Sequence, residues 1–165
     1  MSGFDIDLGT LPRGTRHIRV ASTPRDLGLP PDQWSDGITG EMDVVRNGDR
    51  ISVRGRVHAT ARTECVRCLN GFELDLEAPF ELFAERAGSV PRSDEEELER
   101  GDYMKFHDGR RLDVREEARE ALLLELPMAP RCREECRGLC PRCGADLNQG
   151  PCACEAGTTG RAADA

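Results

Sequence analysis

The eight cysteines of this 165-residue chain fall into an early pair and a late group of six. Cysteines separated by a few residues are typical of thiolate ligands that hold zinc from tight turns. The predicted zinc ligands are Cys65, Cys68, Cys132, Cys136, Cys140, Cys143, Cys152 and Cys154. The fold must therefore bring distant sulfur atoms together around metal, and this requirement limits it more than any other feature of the sequence.

Metal explains these cysteines better than disulfide bonds do. Residues 1–7 have neither the basic region nor the apolar stretch of a secretory signal, and no apolar run approaches the roughly 20 residues of a membrane span. We therefore expect a soluble, cytoplasmic protein with no membrane partner, and disulfides are rare in the cytoplasm. Because only 4% of the residues are aromatic, metal would also supply stability that a small aliphatic core lacks.

Two tetrahedral zinc sites would use every cysteine, so we expect one or two bound ions. The favoured assignment joins the cysteines of residues 140–143 to those of residues 152–154, because the loop that this site closes is short. The early pair would then share an ion with the cysteines of residues 132–136. The competing assignment places all four cysteines of residues 132–143 on one ion and joins the early pair to residues 152–154.

Two other uses of the thiols compete with structural zinc. A thiol oxidoreductase would need Cys65 at the N-terminus of a helix, where the pKa of its thiol falls, but the pattern predicts strands on both sides. Iron–sulfur clusters use the same ligand, yet these closely spaced pairs fit tetrahedral zinc better.

Four thiolates leave no position for water, and His17, His58 and His107 have no predicted nucleophile nearby. The chain is therefore not expected to be an enzyme.

Alternation of apolar and polar residues predicts most of a sheet. Residues 16–22 are predicted to form a strand, and residues 38–45 and 50–61 a hairpin about the turn Asn47-Gly48-Asp49. Further strands are expected at residues 72–77, 80–83 and 103–106, with Pro79 as an interruption.

One strong helix is predicted over residues 113–126. Asp113 is expected to cap it with Glu116 as the second member of a capping box, and Pro127 ends it. Its predicted apolar side consists of Val114, Ala118, Ala121, Leu122, Leu124 and Leu126. The fold class that follows is α+β, a small antiparallel sheet or partly open barrel with one main helix and a C-terminal zinc-knuckle appendage.

Three regions are expected along the chain. Residues 1–131 form a core of sheet and helix that contains the first cysteine knuckle, and residues 132–154 form a Cys-rich zinc-binding element. Residues 155–165 lack apolar periodicity and are predicted to be a disordered tail. Residues 93–102 carry six acidic side chains, which predicts a mobile acidic loop.

The charge is uneven. A net charge of -8 argues against a protein that coats nucleic acid with its whole surface. Between residues 44 and 68, however, arginines outnumber acids, and alternation along the strand of residues 50–61 places several of them on one face. The predicted RNA-binding residues are Arg46, Arg50, Arg54, Arg56, Arg62 and Arg67.

Several motifs resemble one known family. They are Cys65-Val-Arg-Cys68-Leu69, the stretch from Phe72 to Phe83, Leu124-Glu-Leu-Pro-Met-Ala-Pro130, Cys136-Arg-Gly-Leu-Cys-Pro-Arg-Cys-Gly-Ala-Asp-Leu-Asn148, and Cys152-Ala-Cys154. Together they resemble the large ribosomal RNA subunit accumulation proteins over about residues 15–154. The resemblance implies a zinc-binding ribosome biogenesis factor that supports accumulation of large-subunit ribosomal RNA and assembly of that subunit. The implied partners are this RNA or a pre-ribosomal particle, and a small zinc-binding protein of the large subunit.

Two alternatives from other classes remain at this point. The first alternative is an adaptor that holds a basic ribosomal protein on its acidic surface without touching RNA. The second, less favoured, is the thiol oxidoreductase considered above. The net charge of -8 suits the adaptor.

Overall fold

The computed structural model describes residues 3–88 and 104–154. The acidic loop expected at residues 93–102 and the tail expected at residues 155–165 lie outside the described residues. The elements are β1 (Asp5–Asp7), β2 (Gly14–Ser22), β3 (Ile38–Asn47), β4 (Arg50–Glu64), β5 (Gly71–Arg86), β6 (Met104–His107), β7 (Arg111–Asp113) and the helix α1 (Arg115–Glu125).

Five strands form the main sheet in the order β2-β3-β4-β5-β6, and β1 and β7 form a separate antiparallel pair. The predicted hairpin is confirmed, because β3 and β4 pair from Asn47 opposite Arg50 to Thr39 opposite His58. Gly48 has the positive φ of 68° that this tight turn needs. The first predicted strand is also confirmed, since β2 pairs along its whole length with β3.

The expectation of a purely antiparallel sheet is wrong. Strand β6 runs parallel to β5, with Phe83 opposite Met104 and Arg86 opposite His107. A parallel neighbour needs a crossover connection, and a hairpin-based interpretation of the sequence does not provide one. In the described part of the chain the sheet is open, and no closed barrel is formed.

Pro79 does not interrupt the sheet as expected, because β5 runs through it without a break. In the described residues β6 pairs only with Phe83–Arg86, so Pro79 lies beside no residue of β6. Proline is tolerated in a strand where no ladder bond is required of it.

The predicted start of the helix is also wrong. Val114 is the N-cap residue, and no side chain caps the helix. Asp113 instead ends β7 opposite Asp5 of β1, and its Oδ1 accepts hydrogen bonds from the amide and Nε of Arg115 at 3.0 and 2.9 Å. A strand partner therefore holds Asp113 before the helix begins, which removes the capping box. The predicted stop is confirmed, since α1 ends two residues before Pro127.

The hydrophobic core includes N-terminal residues for which the sequence predicted no element. Phe4, Ile6 and Leu8 are buried with the apolar faces of β3 and β4, and the Phe4 carbonyl accepts a hydrogen bond from Val114 at 2.9 Å. A Cβ added at Gly40 would lie 2.8 Å from the Phe4 ring. Gly40 therefore leaves the space that Phe4 occupies.

The described residues fall into two compact units. One comprises Met1–Ala61 and Leu74–Leu126, and the other comprises Arg62–Glu73 and Pro127–Ala165. We call the second the knuckle unit. It contains all eight cysteines, so the early pair and the late group belong to the same unit. Among the described residues, no helix has the length and apolar character needed to cross a membrane.

The apolar side of α1 gives a stability test. Leu122 is fully buried, whereas Leu124, which was expected on the same side, is 85% exposed. Leu122→Ala should lower the free energy of unfolding by about 2–5 kcal/mol, because it leaves a cavity. The matched control Leu124→Ala should change it by less than about 0.5 kcal/mol. Denaturant unfolding measures both, and equal effects would show that α1 packs through a different face.

Candidate metal centres

Two cysteine turns in the knuckle unit share one backbone design. In the first turn the amide of Leu69 donates to the carbonyl of Cys65 at 2.9 Å, and the amide of Cys65 donates to the carbonyl of Asn70 at 3.0 Å. In the second turn, the amide of Gly144 donates to the Cys140 carbonyl at 2.9 Å. The amide of Cys140 donates to the carbonyl of Ala145 at 2.8 Å. The spacing from the first cysteine is the same in both turns, so both are knuckles of the same geometry.

The residue after the second cysteine carries the special conformation of each knuckle. Gly144 has φ of 74°, as its position in the sequence suggested, and Leu69 has φ of 59° at the equivalent place. A leucine with positive φ is strained, because its Cβ crowds the backbone. Leu69 is the only such non-glycine residue in the described part of the chain. The knuckle is therefore a structure that its surroundings impose on this leucine.

The early pair meets the cysteines of residues 132–136 in what we call the first cluster. The sulfur of Cys65 lies 3.7 Å from that of Cys136, and the sulfur of Cys68 lies 3.7 Å from that of Cys132. Ligands at a Zn–S distance of about 2.3 Å in a tetrahedron stand about 3.8 Å apart, whereas bonded sulfurs stand about 2.05 Å apart. The cysteines are free, and their separation fits four thiolates around one ion.

The remaining four cysteines form the second cluster. All four of its sulfur atoms lie within 4.8 Å of one another, as do those of the first cluster. Its members are Cys140, Cys143, Cys152 and Cys154. The structure therefore groups the eight cysteines as the favoured assignment does, and the competing assignment is wrong as a description of which sulfurs meet.

Within each cluster, one thiol has a lowered pKa and another has a raised pKa. Backbone amides of Cys132, Cys68 and Arg67 hydrogen bond to the sulfur of Cys65 and lower the pKa of its thiol to about 6. Amides of Cys143 and Arg142 lower the pKa of Cys140 to about 6 in the same way. These donors stabilise a thiolate at the first position of each knuckle.

Other thiols of the clusters resist ionisation. Burial and hydrogen bonds to neighbouring thiols raise the pKa of Cys132 to about 12. A hydrogen bond with Cys143, together with burial, raises the pKa of Cys154 to about 12. Like charges at these distances repel, so four thiolates can coexist only around a cation. Each cluster thus has the donor chemistry and the spacing that a divalent metal requires.

Polar side chains that the sequence did not reveal support the first cluster. The Nδ2 of Asn148 donates a hydrogen bond to the sulfur of Cys136 at 3.5 Å. Its Oδ1 accepts a hydrogen bond from the backbone amide of Arg137 at 2.9 Å. The carboxylate of Asp146 accepts hydrogen bonds from the backbone amide and the side-chain Nδ2 of Asn148. It also accepts one from the side-chain Nδ2 of Asn70 at 3.3 Å. Such neighbours orient ligands and spread the thiolate charge. Phe72 and Leu139 pack against the same cluster.

The arginines predicted on one face of β4 each pair with a glutamate of the neighbouring strand β5. Arg54 pairs with Glu81 at 2.7 Å and Arg62 pairs with Glu73 at 3.5 Å. Partner numbers on β5 fall as those on β4 rise, so the two strands run antiparallel. Two more pairs join Arg56 to Glu77 at 3.2 Å and Arg50 to Glu85 at 3.6 Å.

This pairing removes the excess positive charge that the sequence suggested. Four arginines of β4 stand against four glutamates of β5. Asp75 lies on the same strand as those glutamates and accepts a hydrogen bond from Thr60 at 2.7 Å. Exposed pairs of this kind contribute only about 0.2–1 kcal/mol each, yet the carboxylates repel phosphate. The alternation of Glu with apolar residues in β5 was visible in the sequence, but its register against β4 was not.

The two other predicted RNA-binding residues bond to backbone carbonyls. Arg46 Nη1 donates to the carbonyls of Leu8 and Leu11 at 2.7 and 3.1 Å. Arg67 Nη1 donates to the carbonyl of Cys136 at 2.8 Å. Both side chains thus tie segments of the chain together, and an RNA contact by any of the six residues stays a prediction.

The fold and the clusters define a class, a small mixed-sheet protein with two four-cysteine clusters, each of which contains one knuckle. The chain belongs to the family described as large ribosomal RNA subunit accumulation protein YceD, whose model matches residues 53–162. This range includes all eight cysteines, and it confirms the family that the motifs indicated.

Curated relatives of the chain are mycobacterial proteins without an established function. An uncharacterised protein of Mycobacterium leprae is 32% identical over 122 residues, which cover 73% of this chain and 54% of the relative. Uncharacterised proteins of Mycobacterium bovis and Mycobacterium tuberculosis are 31% identical over 132 residues, which cover 78% of this chain and 61% of each relative. The chain thus spans between half and two thirds of the length of these relatives. No solved structure matches it.

Metal content per chain tests the two clusters. Wild-type protein purified from cells should hold about two zinc ions, one for each cluster. Cys65→Ser and Cys152→Ser should each lower this to about one, because each removes one ligand from a different cluster. Elemental analysis of the native proteins gives the numbers. Loss of both ions from Cys152→Ser alone would contradict separate sites, and metal-free wild-type protein would contradict metal binding altogether.

Proposed function

We propose that the chain is a zinc-binding ribosome biogenesis factor that supports accumulation of large-subunit ribosomal RNA and assembly of the large subunit. Membership of the YceD family carries this proposal. In it the protein works in the cytoplasm, on this RNA or on a pre-ribosomal particle. A small zinc-binding protein of the large subunit is a further proposed partner.

Zinc is proposed as a structural component. Cys65, Cys68, Cys132 and Cys136 would hold one ion, and the second cluster would hold another. Structural zinc contributes roughly 10–16 kcal/mol of apparent binding free energy at pH 7, compared with about 5–15 kcal/mol for the whole stability of a domain. Folding of the knuckle unit is therefore expected to depend on metal.

We propose that the protein does not catalyse a reaction. Four thiolates around one ion leave no position for substrate or water. Among the described residues, none of the three histidines pairs with a cysteine or serine: His17 hydrogen bonds with Asp43 at 3.0 Å, His58 lies 3.7 Å from Glu77, and His107 hydrogen bonds with the Asp49 carbonyl at 3.1 Å. The flanks of Cys65 are strands β4 and β5, not a helix, and its side chain is fully buried. Backbone amides lower the pKa of the Cys65 thiol to about 6, but full burial withholds it from a partner thiol, which disfavours thiol exchange.

The adaptor remains a second candidate because of the charge distribution. The arginines of β4 are matched by acids of β5, and the chain carries a net charge of -8. An acidic protein can hold a basic ribosomal protein through complementary potential without touching RNA. Co-purification of such a protein that survives nuclease treatment would favour this candidate.

A complementation experiment tests the main proposal. Cells that lack the chain should show a lowered ratio of large-subunit to small-subunit ribosomal RNA. Wild-type protein should restore the ratio, whereas the variant Cys65→Ser with Cys68→Ser should not, because its knuckle unit loses the first cluster. RNA quantification and sucrose gradients provide the readout.

Leu124→Ala is the matched control, since it changes an exposed residue outside the knuckle unit and should restore the ratio fully. An unchanged ratio in cells without the chain would refute the proposed function. Full restoration by the double cysteine variant would show that the first cluster is dispensable for it.

A further inference from the structure

Arginines flank the cysteines of the knuckle unit. Arg131 and Arg133 stand on either side of Cys132, Arg137 follows Cys136, and Arg142 precedes Cys143. Each of these four arginines is thus adjacent in the chain to a ligand of one of the two clusters. We call them the knuckle arginines.

The knuckle arginines differ from those of β4 in their surroundings. All four are exposed, and within residues 3–88 and 104–154 none of their side chains forms an ion pair or a hydrogen bond. On β4, by contrast, Arg50, Arg54, Arg56 and Arg62 each pair with a glutamate. The two sets carry the same charge, but among the described residues the guanidinium groups of the knuckle set have no carboxylate partner, whereas those of the β4 set do.

Backbone hydrogen bonds hold three of the four knuckle arginines in place. The Arg133 carbonyl accepts the amide of Cys136 at 3.2 Å, and the amide of Arg137 donates to Asn148 at 2.9 Å. The amide of Arg142 hydrogen bonds to the sulfur of Cys140. A bound metal ion would fix these positions further. Less conformational entropy would then be lost when a binding partner orders the arginines.

We propose that the knuckle arginines bind phosphate groups of RNA. A guanidinium group matches phosphate with two parallel hydrogen bonds, and an exposed group without a carboxylate partner does not have to break an ion pair first. This inference rests on the proposed function, which makes large-subunit ribosomal RNA the ligand. It assigns the phosphate contact to the knuckle arginines in place of the arginines of β4.

Acidic groups in the same segment set a limit on this surface. Glu134 and Glu135 are exposed next to Arg133, and they repel phosphate at that point. A zinc ion with four thiolates would also carry a net charge of -2, which arginines adjacent in sequence would partly offset. Replacement of the two glutamates by Gln should therefore strengthen RNA binding, whereas a role limited to offsetting thiolate charge would leave RNA binding unchanged.

The experiment compares two variants of equal charge change. One replaces Arg131, Arg133, Arg137 and Arg142 with Gln, and the control replaces Arg50, Arg54, Arg56 and Arg62 with Gln. The full-length, metal-loaded proteins are titrated with an in vitro transcript of large-subunit ribosomal RNA at 50 to 200 mM salt. Elemental analysis first shows that each variant keeps the metal content of wild-type protein.

Loss of four phosphate contacts should lower the slope of log affinity against log salt by about 3, taking about 0.7 per contact on single-stranded RNA. Between 50 and 200 mM salt, wild-type affinity should then fall about 50-fold more than that of the knuckle variant. The β4 variant should keep the wild-type slope, and Glu134→Gln with Glu135→Gln should raise affinity at low salt.

Wild-type slopes in the knuckle variant, or a lowered slope in the β4 variant alone, would overturn the inference. The proposed function would survive that outcome, because the complementation experiment tests it separately. Absence of RNA binding by wild-type protein would also overturn the inference, and would favour the adaptor.

Discussion

Four sulfur atoms from two distant parts of the chain meet in the first cluster. Cys65 and Cys136 are 71 residues apart in sequence, yet their sulfurs stand 3.7 Å apart. Closing a loop of this length costs more entropy than closing the short second cluster, and repulsion among thiolates adds to the cost unless a cation is present. Among the described residues of the knuckle unit, the buried apolar side chains are cysteines, and Phe72 and Leu139 are partly buried against them. The meeting of these four sulfurs therefore joins the early and the late part of the knuckle unit.

Local patterns predicted the parts of the structure whose cause is local. The hairpin about Gly48, the end of α1 before Pro127, and the glycine with positive φ at 144 follow from turn and helix chemistry within a few residues. The grouping of cysteines was also predictable, because each knuckle supplies two ligands and a short loop favours the second cluster. Leu69 shows that the spacing of a knuckle is a stronger signal than its glycine.

Other features depend on partners far away in the sequence. Pro79 was expected to break a strand, but the need for a break depends on whether a neighbour requires an N–H there. Asp113 was expected to cap a helix, but β1 holds it in a strand. The arginines of β4 indicated a basic surface until the register with β5 placed glutamates opposite them. In each case the residue was correctly recognised and its partner was not, since the register between strands is not encoded in either strand alone.

Each cluster is proposed to bind one zinc ion through four sulfurs and nothing else. X-ray absorption spectroscopy at the zinc edge of the purified, native protein tests this most directly, because it counts ligand atoms by element and distance. We expect four sulfur neighbours per zinc at about 2.3 Å and no nitrogen or oxygen neighbour. A shell with nitrogen or oxygen atoms near 2.0–2.1 Å, the distance typical of histidine or water ligands, would contradict it.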